Sequence, residues 1–137
     1  MLAERPTFLP PQSAHVVDGV RRLERLASAL PQERLSLEHV FWAGLYARTL
    51  FIPEGVMITG ARIVIPTLLI VSGDVLTLGD EGRVRITGYR VLAGRAGRKS
   101  VFIALKDTFL TMLFATDAAT VVEAENLFTD EPETLKR

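Results

Sequence analysis

At 137 residues, with 48% hydrophobic side chains, the chain is the size of a single domain and has enough hydrocarbon for a core. Sixteen basic and sixteen acidic residues cancel, so no global field draws it to an anionic membrane or to nucleic acid, and neither is expected as a partner. There is no cysteine, which excludes disulfides and thiolate chemistry.

Residues 1–12 carry Pro6, Pro10 and Pro11 and read as an extended, Pro-rich arm. The arm has no apolar run behind a basic start, so no secretory signal is expected. The run Ile63–Val71 is too short to cross a bilayer and holds Pro66. A cytoplasmic protein is the expectation. Phe8 and Leu9 have no partner at helical or strand spacing. They are expected to pin the arm to a surface, and the arm to be disordered in the free chain or packed on a neighbouring subunit.

Residues 13–31 read as an amphipathic helix running from an N-cap at Ser13 to Leu30 and stopped by Pro31. Val16, Val20, Leu23, Ala27 and Leu30 share one face. From Leu37 the texture becomes β. Short apolar runs alternate with turn signals at Pro53-Glu54-Gly55, Ser72-Gly73-Asp74, Asp80-Glu81-Gly82, Gly94 to Gly97 and Lys106-Asp107. That spacing predicts a sandwich or barrel, not a βαβ fold. Gly60 to Leu78 reads as two buried strands joined at Ser72-Gly73-Asp74. In Arg83–Thr87 the alternation turns Val84 and Ile86 inward. Val101, Ile103 and Leu105 share a face, opposite Phe102 and Ala104. Thr108–Ala115 is apolar on both faces, with Leu110, Met112 and Phe114 on one and Phe109 and Leu113 on the other. Such a strand is covered on both sides, by a second layer or by another subunit. Residues 117–137 read as a short helix to Phe128, capped by Asp117 or by Thr120 with Glu123, then a charged tail.

Several pieces in order resemble a known family. They are G-L-Y-A-R-T-L-F-I-P-E-G, then T-G, I-V-S-G-D-V-L-T-L, G-R-V-R-I-T-G-Y, A-G-R-K-S-V, D-T and A-T-D. From about His39 to Thr116 the chain is similar to the cupins, and more narrowly to small cupin-like proteins often encoded by phages and prophages. The resemblance implies a mainly β, jelly-roll domain over 37–116, flanked by the two helices, and a host-cytoplasm setting if phage-encoded. Metal cupins place histidines and a carboxylate after the T-G step and a further histidine late in the barrel. The corresponding stretches here read Ile63, Val64, Ile65, Pro66, Thr67, Leu68 and Leu69, then Leu105 and Phe114. None of these side chains is a histidine or a carboxylate. The resemblance therefore implies a barrel with its metal ligands lost: no metal, no cofactor and no assigned catalytic residue.

The remaining candidates each have two readings. Ile63, Ile65, Thr67, Leu69, Leu110, Met112 and Phe114 would line an apolar cavity if the barrel is open, or fill it if it is solid. Arg95, Arg98 and Lys99, in a glycine-bearing loop, could cradle an anion or simply face solvent. His39 could be a general base or a hydrogen-bonded edge histidine. Arg48, Arg62, Arg83, Arg85 and Arg90 could join Trp42, Tyr46 and Tyr89 on one face, or stand apart as exposed cations. Asp74, Asp80, Glu81 and Asp107 are turn carboxylates, two of which could pair for acid–base work in a glycosidase manner, or which bond backbone as turn carboxylates do. Phe8, Leu9, Phe109 and Leu113 are the candidate interface of a homodimer or of a protein partner. The expected role is non-catalytic self-assembly or protein interaction. The alternatives are a small-molecule binder with an apolar interior and a metal-free enzyme of the cupin isomerase kind.

Overall fold

A computed structural model describes residues 7–32 and 34–135. In chain order it holds α1 (Ala14–Ala27), β1 (Ser36–Trp42), β2 (Leu45–Ile52), β3 (Met57–Thr59), β4 (Thr67–Gly79), β5 (Gly82–Gly94), β6 (Val101–Ala104), β7 (Thr108–Ala115), α2 (Val121–Phe128) and a 3-10 helix, Pro132–Leu135. The strands form one curled antiparallel sheet in the order β1-β2-β7-β4-β6-β3, with β5 along the other side of β4. The mainly β, jelly-roll expectation holds.

The curl comes from β4, and here the sequence reading is corrected. Ser72-Gly73-Asp74 is not a turn between two strands; it lies inside one thirteen-residue strand. Before Gly73, β4 pairs with β7, from Leu68↔Leu113 to Ser72↔Phe109. After it, Val75 and Leu76 pair with Ala104 and Ile103 of β6. Gly73 has φ 150°, a conformation that side chains rarely allow. A Cβ there would lie 2.7 Å from the Thr108 Cα and would overlap its hydroxyl. Thr108 in turn accepts a hydrogen bond from the Asp74 backbone N–H at 3.0 Å and donates to the Lys106 carbonyl at 2.9 Å. The same letters that mark a turn here mark a bend inside a strand. The strand also begins later than expected: Gly60–Pro66 is a connection, within which Ile63 bridges Arg98 and Thr129.

Strand parity sorts the side chains. Tyr46, Ile52, Leu69, Val71, Val75, Ile86, Leu92, Phe102, Ala104, Leu110, Met112 and Phe114 form the core, joined by Ala124 and Phe128 of α2. Ile86 is buried and Val84 packs on the core, while Phe102 and Ala104, not Ile103 or Leu105, face inward. The Asp80-Glu81 hairpin forms as read and joins β4 to β5, whereas the turns at Pro53-Gly55, Gly94-Gly97 and Lys106-Asp107 link strands that do not pair with each other. The β1–β2 turn, Ala43-Gly44, puts both residues at positive φ, 53° and 73°, and an alanine there hides the turn from composition.

The flanking segments dock on this sheet. Helix α1 ends at Ala27, so Leu30 falls beyond it and is exposed; Val17 and Val20 are its buried residues. Ser13 makes no side-chain cap, and its backbone N–H donates to Asp80. Helix α2 starts at Val121 because the Thr120 hydroxyl accepts from the Glu123 N–H. The arm, expected to be disordered or on a neighbour, instead packs on its own chain from Thr7 to Gln12. Ala93 donates to the Thr7 carbonyl and accepts from Leu9, whose side chain joins the core. Residues 1–6 lie outside the described residues. Lys99 ties these segments together. It is fully buried, with Nζ 2.7 Å from Glu131, 3.1 Å from Glu24 of α1 and 2.9 Å from the Gly60 carbonyl. The Gln12 amide bonds both the N–H and the carbonyl of Lys99.

Two outcomes follow from this packing. Gly73→Ala is expected to destabilise the fold by roughly 2–4 kcal/mol, through both the φ penalty and the overlap with Thr108, read by urea denaturation. Stability should also fall in acid. The Arg85 hydrogen bonds hold the Asp74 carboxyl below its usual range. Burial pushes Glu131 up, but Lys99, the Arg62 N–H and Arg21 outweigh it and hold it low too. Both folded pKa values lie below the unfolded ones, so the unfolded chain binds more protons as the pH falls. The stability is present above about pH 4 to 5 and is lost as pH falls through the depressed values. Melting temperature measured from about pH 6 to 3 should drop, and drop less steeply in Glu131→Gln.

Candidate functional site

Inside the curl, and closed in part by α2 and the terminal 3-10 helix, lies a cavity of about 490 Å³. Its apolar wall is built by strand parity. Leu50 of β2, Leu69 of β4, Phe102 of β6, and Leu110 and Met112 of β7 all point inward. Phe128 and Leu135 close one side, and Gln32, Arg34 and Leu35 of the α1–β1 connection form part of the lining.

Three arginines line this cavity, and among the described lining residues there is no Asp or Glu. Arg48 alternates with Tyr46 and Leu50 on the inner face of β2. It meets Glu125 of α2 at 3.2 Å and lies over the Phe128 ring. Arg34 is exposed. Arg98 differs from both. Its residue exposure is 8%, and its guanidinium donates to the Arg95 carbonyl at 2.9 Å and to the Thr67 hydroxyl. No carboxylate pairs with it among the described residues. Burial alone pushes its pKa down to about 10, so it stays charged at neutral pH. Gly94 makes room for it: a Cβ there would lie 2.5 Å from the guanidinium carbon.

Beside the cavity, His39 Nδ1 and the Tyr46 hydroxyl lie 2.7 Å apart, and Arg48 donates to the same hydroxyl at 3.3 Å. Burial and the Arg48 charge hold His39 below its usual pKa, and burial raises Tyr46. Both are neutral at pH 7. Neither is among the cavity-lining residues, so the pair braces Arg48 and offers the cavity no general base.

The predicted site residues divide. Ile63, Leu69, Leu110 and Met112 line the cavity together; Ile65 packs against the core, Thr67 serves Arg98, and Phe114 meets Tyr46 and Phe128 edge-to-face. Arg95, Arg98 and Lys99 do not gather into an anion cradle. Arg95 lies 4.0 Å over the Phe8 ring, while Arg98 and Lys99 turn inward. Nor do the arginines and aromatics form one face: Tyr46 is buried, Arg62 pairs with Asp130 and Arg85 with Asp74. Asp80 and Asp107 bond backbone N–H groups, as turn carboxylates do. Arg48 and Arg34 were missed as lining residues. Parity could have found Arg48, since Tyr46, Arg48, Leu50 and Ile52 fall on one side of β2. Phe109 and Leu113 lie on the outer face, and Leu9 is committed to the chain's own core.

The curled sheet and its strand order can be set beside known proteins. A cupin-superfamily protein of Desulfitobacterium hafniense is 13% identical over 67% of this chain and 88% of that one, with a TM-score of 0.50. The fold is that of the cupins. A mutant form of salicylate 1,2-dioxygenase from Pseudoaminobacter salicylatoxidans is similar at 11% identity and a TM-score of 0.54, over 85% of this chain but 36% of the dioxygenase. No protein-family model matches the sequence, and no curated protein does either.

The cupin fold raises the question of a metal. Among the described residues no three His, Cys, Asp or Glu side chains come together. The inner wall presents Arg48, Leu69, Leu110 and Met112 instead. Cationic and aliphatic groups do not fit a divalent ion, and no step is routed through one. No helix among the described residues is long and apolar enough to cross a membrane.

Proposed function

We propose that the chain is a non-catalytic cupin barrel that binds a small, largely apolar molecule in its interior. The observation that carries this reading is the cavity: about 490 Å³, walled by leucines, isoleucines, Met112 and two phenylalanines. Binding pockets for small molecules fall in the range of roughly 300–1,000 Å³ and have this composition. A barrel of solid side chains would leave no such space. The solvent-shielded groups beside the cavity are neutral and braced, which suits holding a molecule more than transforming it. The phage or prophage setting is carried by the resemblance of the sequence pieces. A neutral fluorescent hydrocarbon probe, N-phenyl-1-naphthylamine, should brighten and shift to the blue on addition of the protein. Leu50→Trp, which fills the cavity from its half-buried side, should abolish the signal while leaving the melting temperature within a few degrees. No brightening with the unmodified protein, or equal brightening with a folded Leu50→Trp variant, would overturn the reading.

A second reading, self-assembly into a homodimer, is favoured by the outer face of the same sheet. Its rows run Val40, Ala47, Leu113, Leu68, Ala93, then Thr49, Thr111, Ile70, Val91, then Phe51, Phe109, Ser72, Tyr89. Across five strands only Glu38, on the edge strand, brings a charge into these rows. Trp42 at the same edge is 79% exposed. Five strands at about 4.8 Å spacing and some 20 Å of length present roughly 500 Å² in projection, and more as accessible surface. A stable dimer needs about 800 Å² per partner, and a second copy of this face, whose one charge is Glu38 at the edge, would bury an area of that order with little charge to desolvate. Light scattering at micromolar concentration should give twice the chain mass, and Leu113→Arg should give a folded monomer. A monomer mass for the unmodified protein would exclude this assembly and leave the ligand-binding reading untouched.

A further inference from the structure

We infer that the ligand of this cavity is an anionic amphiphile, an apolar body bearing one carboxylate-like head, and that Arg98 is the cation that receives the head. The inference rests on the ligand-binding reading and goes beyond it by naming the chemical class.

The reasoning starts from charge balance. A guanidinium moved out of water is costly unless a carboxylate or another anion compensates it. Among the described residues, the fully buried Lys99 and the partly buried Arg48 meet that requirement. Lys99 has Glu131 and Glu24, and Arg48 has Glu125. Arg98 has a carbonyl and a hydroxyl, which satisfy N–H groups but not the charge. Nor is its place an accident of a loose loop. Gly94 leaves room for the guanidinium, Thr67 meets it from the start of β4, and Ile63 bonds its backbone carbonyl at 2.8 Å. A side chain held this firmly at the wall of an apolar cavity, with no carboxylate paired to it among the described residues, can take an anion from the cavity it lines.

The rest of the lining agrees. Arg34 adds a second cation without an acid, and no lining carboxylate among the described residues opposes an incoming anion. Ser100 and Thr59 add hydroxyl groups to the lining. Apart from Gln32 and the Glu125-paired Arg48, the remaining wall is hydrocarbon, which disfavours small hydrophilic anions such as inorganic phosphate as the whole ligand and calls for an apolar body. A carboxylate meeting a guanidinium in a water-poor site forms a charge-assisted pair, stronger than a neutral hydrogen bond.

Displacement of N-phenyl-1-naphthylamine tests this with decanoate and 1-decanol as competitors of equal length at pH 8. Decanoate should displace the probe at a concentration at least about tenfold lower than decanol. In Arg98→Gln that preference should fall to within about twofold, with probe binding retained. If Arg98→Gln does not fold, the unmodified protein still decides, because equal displacement by the two competitors overturns the inference. An unchanged preference in a folded Arg98→Gln overturns it also. Failure of the probe itself to bind the unmodified protein removes the ligand-binding reading, which is a different result from a cavity that binds the probe and ignores charge.

Discussion

The meeting of Gly73 with Thr108 sets the shape of this molecule. Strand β4 must pair with β7 over its first half and with β6 over its second, and a flat strand cannot serve both. The change of partner occurs where Gly73 adopts φ 150° and the Thr108 backbone comes closer than any Cβ would permit. Polar groups freed by the bend are not left unmet. Thr108 takes the Asp74 N–H, and the Asp74 carbonyl accepts from Leu105. The sheet curls because of this corner, and a curled sheet has an inside. The cavity, the inward arginines and the uncharged outer face are all consequences of which side of the curl a residue falls on.

A second constraint follows from the first. The curl buries Lys99, and a buried ammonium requires partners. The ammonium meets Glu24 on α1, Glu131 in the tail and the Gly60 carbonyl, while Gln12 in the arm holds the Lys99 backbone. The terminal segments are therefore not appendages of a self-sufficient barrel. They hold the fully buried Lys99, and in doing so they bring Phe128, Leu135 and the α1–β1 connection to the cavity. Packing and electrostatics act together here: the ion pairs fix where the hydrocarbon caps sit.

What the sequence made legible was whatever local chemistry decides. Thr108–Ala115 was recovered to the residue because hydrocarbon on both faces admits only a two-sided strand. The Thr120–Glu123 cap and the Asp80-Glu81 hairpin were recovered because their bonds lie within a few residues. Ser72-Gly73-Asp74 misled because a turn and a corner in a strand ask for the same residues. Only Thr108, far along the chain, tells them apart. The loop Gly94 to Lys99 misled for a related reason. A run of glycines and cations looks solvated until Glu24 and Glu131 are seen to reach Lys99. The cavity was half legible: parity on β4 and β7 names Leu69, Leu110 and Met112, while Arg98 reads as part of a loop that cradles an anion or faces solvent, not as a buried lining residue.

Charge is what separates the two sides of the sheet. Along β7, Leu110 and Met112 face the cavity and Phe109 and Leu113 face outward, so hydrophobicity alone cannot assign them different roles. Their surroundings can. The outer rows carry almost no charge, a surface suited to another surface of the same kind, where any unpaired charge would oppose association. The inner wall carries cations against hydrocarbon, a combination that lowers the stability of the empty barrel unless something answers the charge. An apolar outside and a cationic inside are each unfavourable in isolation, and under the proposed readings each would be relieved by a different occupant. The alternation of a single strand would keep those occupants on opposite sides of one sheet, so that filling the cavity and covering the outer face would not compete for the same side chains.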